Sequence, residues 1–198
     1  MPCLIPVLVL VLIPVLWLIG TYNGLVRLRN HCREAWSGID TELKRRYDLI
    51  PNLVETVKGY ARHEREVLET VVRARQQAAS SNGSPAAQAR DENELVHSLN
   101  RLFAVAEAYP DLKANANFLQ LQTELVNTED RIQAARRFYN ANVRDLNTRT
   151  ETFPSNLVAS MFGFQRMEFF EVEEAAVRAP VKVRDRKSTR LNSSHVSQ

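Results

Sequence analysis

From Leu25 onward, apolar side chains recur every three or four positions: Leu25, Leu28, Cys32, Trp36, Ile39, Leu43, Tyr47 and Ile50. That spacing is one face of an α-helix. The stripe continues through Leu53, Val57, Tyr60, Glu64, Val67, Val71, Ala74 and Ala78. Pro51 sits inside it and lacks a backbone donor, so a kink or short break is expected there. Ser80 to Pro85 reads Ser-Ser-Asn-Gly-Ser-Pro, a loop. A second helix is expected from about Ala86 to Ala108, with Leu95, Leu99, Leu102, Val105 and Ala106 inward and Tyr109-Pro110-Asp111 ending it. The third pattern spans Lys113 to Thr150: Phe118, Leu121, Leu125, Thr128, Ile132, Ala135, Tyr139, Val143 and Leu146, with Thr128 its one polar member. No strand-like alternation competes. Short links between long amphipathic helices make antiparallel neighbours. The expected fold class is all-α: an antiparallel, coiled coil-like bundle of three long arms, or four if Pro51 divides the first.

The N-terminal stretch is different. No charged side chain precedes Arg27, and Cys3 to Ile19 is apolar at every position, interrupted only by Pro6 and Pro14. With Gly20 to Val26 added, it is long enough to cross a bilayer core of about 30 Å as a helix. Spanning helices tolerate interior proline better than soluble ones do. A cleaved signal peptide would want a basic leading segment and small residues before the cut. Met1-Pro2 and Leu18-Ile19-Gly20 supply neither. An uncleaved single-pass transmembrane anchor is therefore expected. Arg27, Arg29 and Arg33 follow the span and nothing basic precedes it, so the positive-inside rule places the body in the cytoplasm.

The other end of the chain shortens its pattern after Phe153-Pro154. Asn156 to Met161 could form a turn or two of helix, followed by Phe162-Gly163-Phe164 and Phe169-Phe170. Five of the eight phenylalanines lie in 153–170, and large rings bury much area. This segment is expected to fold back over an open end of the bundle; the rival reading is an exposed aromatic patch that touches lipid or a partner. Residues 184–198 lose all periodicity and resemble an adapter-like, non-native tail. The expected organisation is thus anchor 1–21, helical bundle 22–183 and tail 184–198.

Charge adds little. The chain has 26 basic and 23 acidic residues; leaving out 184–198 leaves 22 of each. A neutral body gives no argument for nucleic acid. Cys3 and Cys32 cannot build a disulfide framework or a metal knuckle.

Candidate chemistry is sparse. Glu94-Leu-Val-His97 places a carboxylate and an imidazole three apart on one helix face, as in carboxylate-bridged di-iron bundles. Those need a second such unit, and neither His31, His63 nor His195 has Glu at the matching position. The pair is therefore read as solvated. Glu64, on the apolar stripe, is expected to pair with an arginine of another helix or to sit at a frayed edge. Cys32 reads as a small buried hydrophobe. Arg45-Arg46 and Arg136-Arg137 read as helix surface. There is no phosphate loop, zincin helix or nucleophile elbow. No catalytic, cofactor-binding or metal-binding residue is assigned.

An ordered set of blocks carries a resemblance. They are Tyr22-Asn23, Ala35-Trp36-Ser37, Leu43-Lys44-Arg45-Arg46, Leu49-Ile50-Pro51-Asn52-Leu53-Val54 and Val57-Lys58-Gly59-Tyr60. They continue with Tyr109-Pro110-Asp111-Leu112-Lys113-Ala114-Asn115, Ala135-Arg136-Arg137-Phe138-Tyr139-Asn140, Phe153-Pro154 and Phe162-Gly163-Phe164. Over about residues 20–183 the chain resembles the LemA family of bacterial membrane-anchored helical proteins. One departure is Asp145-Leu146-Asn147, where a second Tyr-Asn pair is expected. The resemblance implies a long-helix bundle on one span in the bacterial cytoplasmic (inner) membrane, and it supplies no reaction. The expected function is a non-enzymatic scaffold that meets membrane lipid through its span and protein partners through its bundle. The alternatives are a ligand- or metal-binding bundle, and a membrane-shaping protein that self-associates as a homo-oligomer.

Overall fold

The computed structural model describes residues 4–81 and 83–172. Among these the secondary structure is helical, with six helices. They are α1 (Leu4–Tyr60), α2 (Arg65–Ser80), α3 (Pro85–Ala106), α4 (Pro110–Lys113), α5 (Ala116–Glu151) and α6 (Ser155–Met161). The tail 184–198 lies outside the described residues.

The all-α expectation holds, and the break in the first arm falls elsewhere than expected. α1 runs unbroken through both Pro14 and Pro51. Lacking an N–H, Pro51 cannot satisfy the Tyr47 carbonyl four residues back. That carbonyl instead accepts a 2.9 Å hydrogen bond from Nε of Arg75 on α2. A partner helix thus supplies the bond that proline removes, and the helix continues. The chain turns at 61–64 instead, where Ala61 is buried and Tyr60 is exposed. Register shifts across that turn, so Leu68 rather than Val67 enters the core.

Local signals explain the other boundaries. Pro85 is the first residue of α3, and the Ser84 side chain accepts from Ala87 N. Asn115 caps α5 by accepting from Phe118 N at 3.0 Å, and its amide reaches the Tyr60 hydroxyl at 2.9 Å. α6 closes with Phe164 N on Ala159 O and Gly163 N on Ser160 O, with Gly163 at φ +68°. This is the paired-carbonyl ending that a left-handed residue makes possible, and glycine adopts it without strain. The one-turn helix α4 replaces the simple stop expected at Tyr109-Pro110-Asp111.

α1 and α5 lie antiparallel and pack most extensively. Arg46 meets Glu129, Trp36 meets Tyr139, and Gly24 lies beside Arg149, so numbers rise along one helix as they fall along the other. α2 returns along α1 and pairs with α3. The body thus has two storeys. Residues 43–57 of α1 belong to a four-helix head with α2, α3 and the first half of α5. Residues 21–39 belong to a two-helix stalk with the second half of α5. One core runs through both, including Leu25, Cys32, Ile39, Ile50, Leu53, Leu99, Ile132, Tyr139 and Leu146. Leu10 to Ile19 of α1, by contrast, leave most of their large apolar side chains exposed.

Candidate functional site

The most unusual chemistry lies inside the head. Arg46 is only 2% exposed, Glu92 is 0% and Glu129 is 6%. Arg46 Nη1 donates to Glu129 Oε2 at 3.0 Å, and Nη2 donates to Glu92 Oε2. The Tyr47 hydroxyl donates to the other Glu92 oxygen. Gln88 Nε2 donates to that same oxygen at 3.0 Å and reaches the Tyr47 oxygen at 3.2 Å and the Ala78 carbonyl at 3.1 Å. One guanidinium therefore ties α1 to α3 and α5, and the amide of Gln88 brings in α2. Burial, reinforced by the Glu92 carboxylate, raises the Tyr47 pKa far above the usual phenol value. Tyr47 stays protonated and remains a donor.

This node corrects the surface reading of Arg45-Arg46. Consecutive helical residues point about 100° apart, so a basic pair can put one member in water and the other in the core. Arg45 is exposed and Arg46 is buried. The sequence did hold a clue: Arg46 precedes Tyr47, an inward position, and Glu129 follows Thr128, the one polar member of the third stripe.

The second constellation lies along the stalk. Residues 164–172 form an extended strap beside α5. Asn147 clasps Met167 through both backbone groups, Nδ2 to O and Oδ1 from N, each 2.9 Å. Asn140 clasps Phe170 the same way at 3.0 and 2.9 Å. Seven helical residues cover about 10.5 Å and three extended residues about 10 Å, so the two clasps match in pitch. Tyr139 Oη donates to Glu168 O at 2.9 Å, and Arg136 Nη1 donates to Val172 O. Arg136 thus departs from the surface reading as well. Burial pushes the Tyr139 phenol up to about 12, helped by Cys32 and Glu168.

The strap delivers Phe170, fully buried, against Trp36, with ring centroids 5.3 Å apart and an 87° interplanar angle; Trp36 also meets Tyr139, tilted at 59° with centroids 5.3 Å apart. Phe164 meets Tyr22 and lies under the Arg29 guanidinium at 5.0 Å. At the strap's midpoint the Glu168 carboxylate accepts from Ser84 and from Ala86 N at the start of α3. Those bonds hold its pKa below the ordinary carboxylate range. The Phe-rich segment therefore does fold back on the bundle, but it covers the flank of the stalk. Phe153 and Phe162 are left exposed.

The remaining candidates disperse. Glu94 and His97 are both exposed on α3. Glu64 sits at the turn between α1 and α2, where it accepts from the Tyr109 hydroxyl at 3.3 Å. Cys32 is buried, and desolvation followed by Asp145 raises its pKa. Among the described residues no group of three or more His, Cys, Asp or Glu is gathered as a metal site. An open groove of 920 Å³ lies between the end of α1 and α2, with Val54, Lys58, Arg62, Leu68 and Val72 among its walls.

The LemA family model matches residues 35–184, which hold Arg46, Glu92, Glu129, Asn140, Asn147 and the strap. The chain belongs to the LemA family. It is 30% identical over 159 residues to Protein LemA of Metamycoplasma hominis, covering 79% of this chain and 71% of that one. It is also similar to the magnetosome protein MamQ of Magnetospirillum gryphiswaldense, 24% identical over 183 residues, and to MamQ 2 of Paramagnetospirillum magneticum, 26% identical over 183 residues. Each of these alignments covers 80% of this chain and 67% of the relative. The LemA match begins inside α1 and leaves the apolar stretch before Arg27 outside it. Within it, the buried node and the paired asparagine clasps are what this LemA chain uses to fix its long helices.

Proposed function

We propose that this LemA-family chain is a single-pass, membrane-anchored helical scaffold without catalytic activity of its own, its span in the bacterial cytoplasmic membrane and its body in the cytoplasm. The observation that carries this reading is the continuity of α1. One helix of 57 residues turns exposed apolar side chains outward at Leu10 to Ile19, then buries Leu25, Cys32, Ile39 and Ile50 in the bundle. No hinge separates the apolar part from the packed part. From Leu25 to Tyr60 the helix advances about 54 Å, so the head stands well away from the apolar end. Arg27, Arg29 and Arg33 support the cytoplasmic orientation.

A stiff post carrying a four-helix head suits presentation of a binding surface. The full-length protein should pellet with membranes and resist alkaline carbonate. A fluorophore fused after residue 183 should be bright in the cytosol, and an exported phosphatase fused there should be silent. Release by carbonate, or a mature chain starting near Thr21, would overturn the anchor; an active phosphatase would reverse the topology.

A further inference from the structure

α6 buries one face and leaves large apolar side chains on the other. Ser155, Val158 and Ala159 are buried against α1 and α5, the spacing of one helix face. The opposite face shows Leu157 at 56% exposure and Met161 at 69%, flanked by Phe153 at 74% and Phe162 at 47%. Four large apolar side chains at one corner form a patch that water does not favour. Its position says what covers it. Phe162 packs on Tyr22 with ring centroids 4.8 Å apart, and Pro154 and Ser155 share a hollow with Trp17 and Thr21. The corner therefore sits level with the last turns of the exposed apolar stretch of α1. Arg149, on the last turn of α5, lines the same hollow, and Arg166, on the strap, pairs with Glu151 at the end of α5 at 2.8 Å.

We infer that the α5–α6 corner is a second membrane contact: Phe153, Leu157, Met161 and Phe162 enter the boundary between headgroups and acyl chains of the same leaflet that α1 crosses. This rests on the spanning reading of α1. Aromatic and aliphatic side chains beside arginines are the chemistry of an interfacial foot. The span alone holds the body at one point; with the foot, the stalk is held at two, and its rotation about α1 is fixed against the bilayer.

The test uses the full-length chain carrying Cys3→Ser and Cys32→Ala, with one cysteine introduced by Leu157→Cys, Met161→Cys, Ile13→Cys or Val72→Cys. Each is labelled with an environment-sensitive fluorophore and reconstituted into phosphatidylethanolamine–phosphatidylglycerol vesicles. The labels at 157 and 161 should lose most of their emission to a nitroxide on the upper acyl chain and little to aqueous iodide. The label at 72, on the head, should behave in the opposite way. Iodide quenching at 157 and 161 like that at 72, with lipid quenching kept at 13, overturns the foot and leaves the span standing. Loss of lipid quenching at 13 overturns both. Shielding at 157 and 161 from both quenchers would mean that a second copy covers the corner, and would also overturn the lipid contact.

Discussion

In the head, residues 43–57 of α1 pack on α5 and α2 and reach α3 through Arg46 and Tyr47; in the stalk, residues 21–39 face one long helix, and the exposed flank is closed by α6 and nine residues of extended chain. Helix against helix satisfies its backbone internally, so the head needs only apolar ridges and a polar node to set register. An extended strap against a helix has no such partner, and its N–H and C=O groups must be met by side chains. Asn140, Asn147, Tyr139 and Arg136 meet them. The head is specified by ions at its centre and the stalk by amides along its side.

Several substitutions break this contrast or sharpen it. Arg46→Ala should have the largest effect, because it strands Glu92 and Glu129 in the core; a loss of about 3–5 kcal/mol is expected in denaturant titration of the detergent-solubilised chain. Arg46→Lys should recover only part of that loss, since a single ammonium cannot fork to both carboxylates. In the stalk, Trp36→Ala and Tyr139→Ala each remove a ring from the cluster with Phe170, and should cost about 2–4 kcal/mol by the same titration.

Asn147→Ala and Asn140→Ala should cost less, about 1–2 kcal/mol each. Their signature should be local: hydrogen exchange at 164–172 accelerates while the amides of α2 and α3 keep their protection. Equal acceleration in the head would mean that the two storeys open as one unit. The Glu168 bonds to Ser84 and Ala86 should give a smaller, pH-dependent term. Its folded pKa is lowered, so this stabilisation is complete above the unfolded carboxylate value of about 4.3 and lost as pH falls through the lower folded value. Strap exchange should therefore quicken below that range, and Glu168→Gln should flatten the dependence. Smallest of all, Glu94→Ala and His97→Ala should each shift stability by less than about 0.5 kcal/mol, with the melting temperature as the readout.

The helices were legible because their apolar spacing is regular, and the stripe on α5 was read with every member buried or half-buried. The α1–α2 turn was misplaced because proline is a local signal, whereas the Arg75 bond that neutralises Pro51 comes from a distant helix. Arg46 was missed for a related reason: a pattern of apolar positions cannot show that a charged side chain has two carboxylates waiting 46 and 83 residues away. The strap was half legible. Its phenylalanines marked a segment that packs, but an extended chain has no helical period, and the asparagines that hold it look like any helix-surface residue. Glu94 and His97, chosen for their spacing alone, lie on the exposed face of α3.

The unbroken run of α1 makes the molecule a lever. Spanning helices tilt by amounts that respond to the thickness of the surrounding bilayer. With no joint between Leu25 and Tyr60, a tilt change of about 10° swings the far end by about 9 Å over an arm of about 54 Å. On the proposed reading of α1 as the span, a change in the lipid is magnified at the tip, where the open groove between α1 and α2 lies.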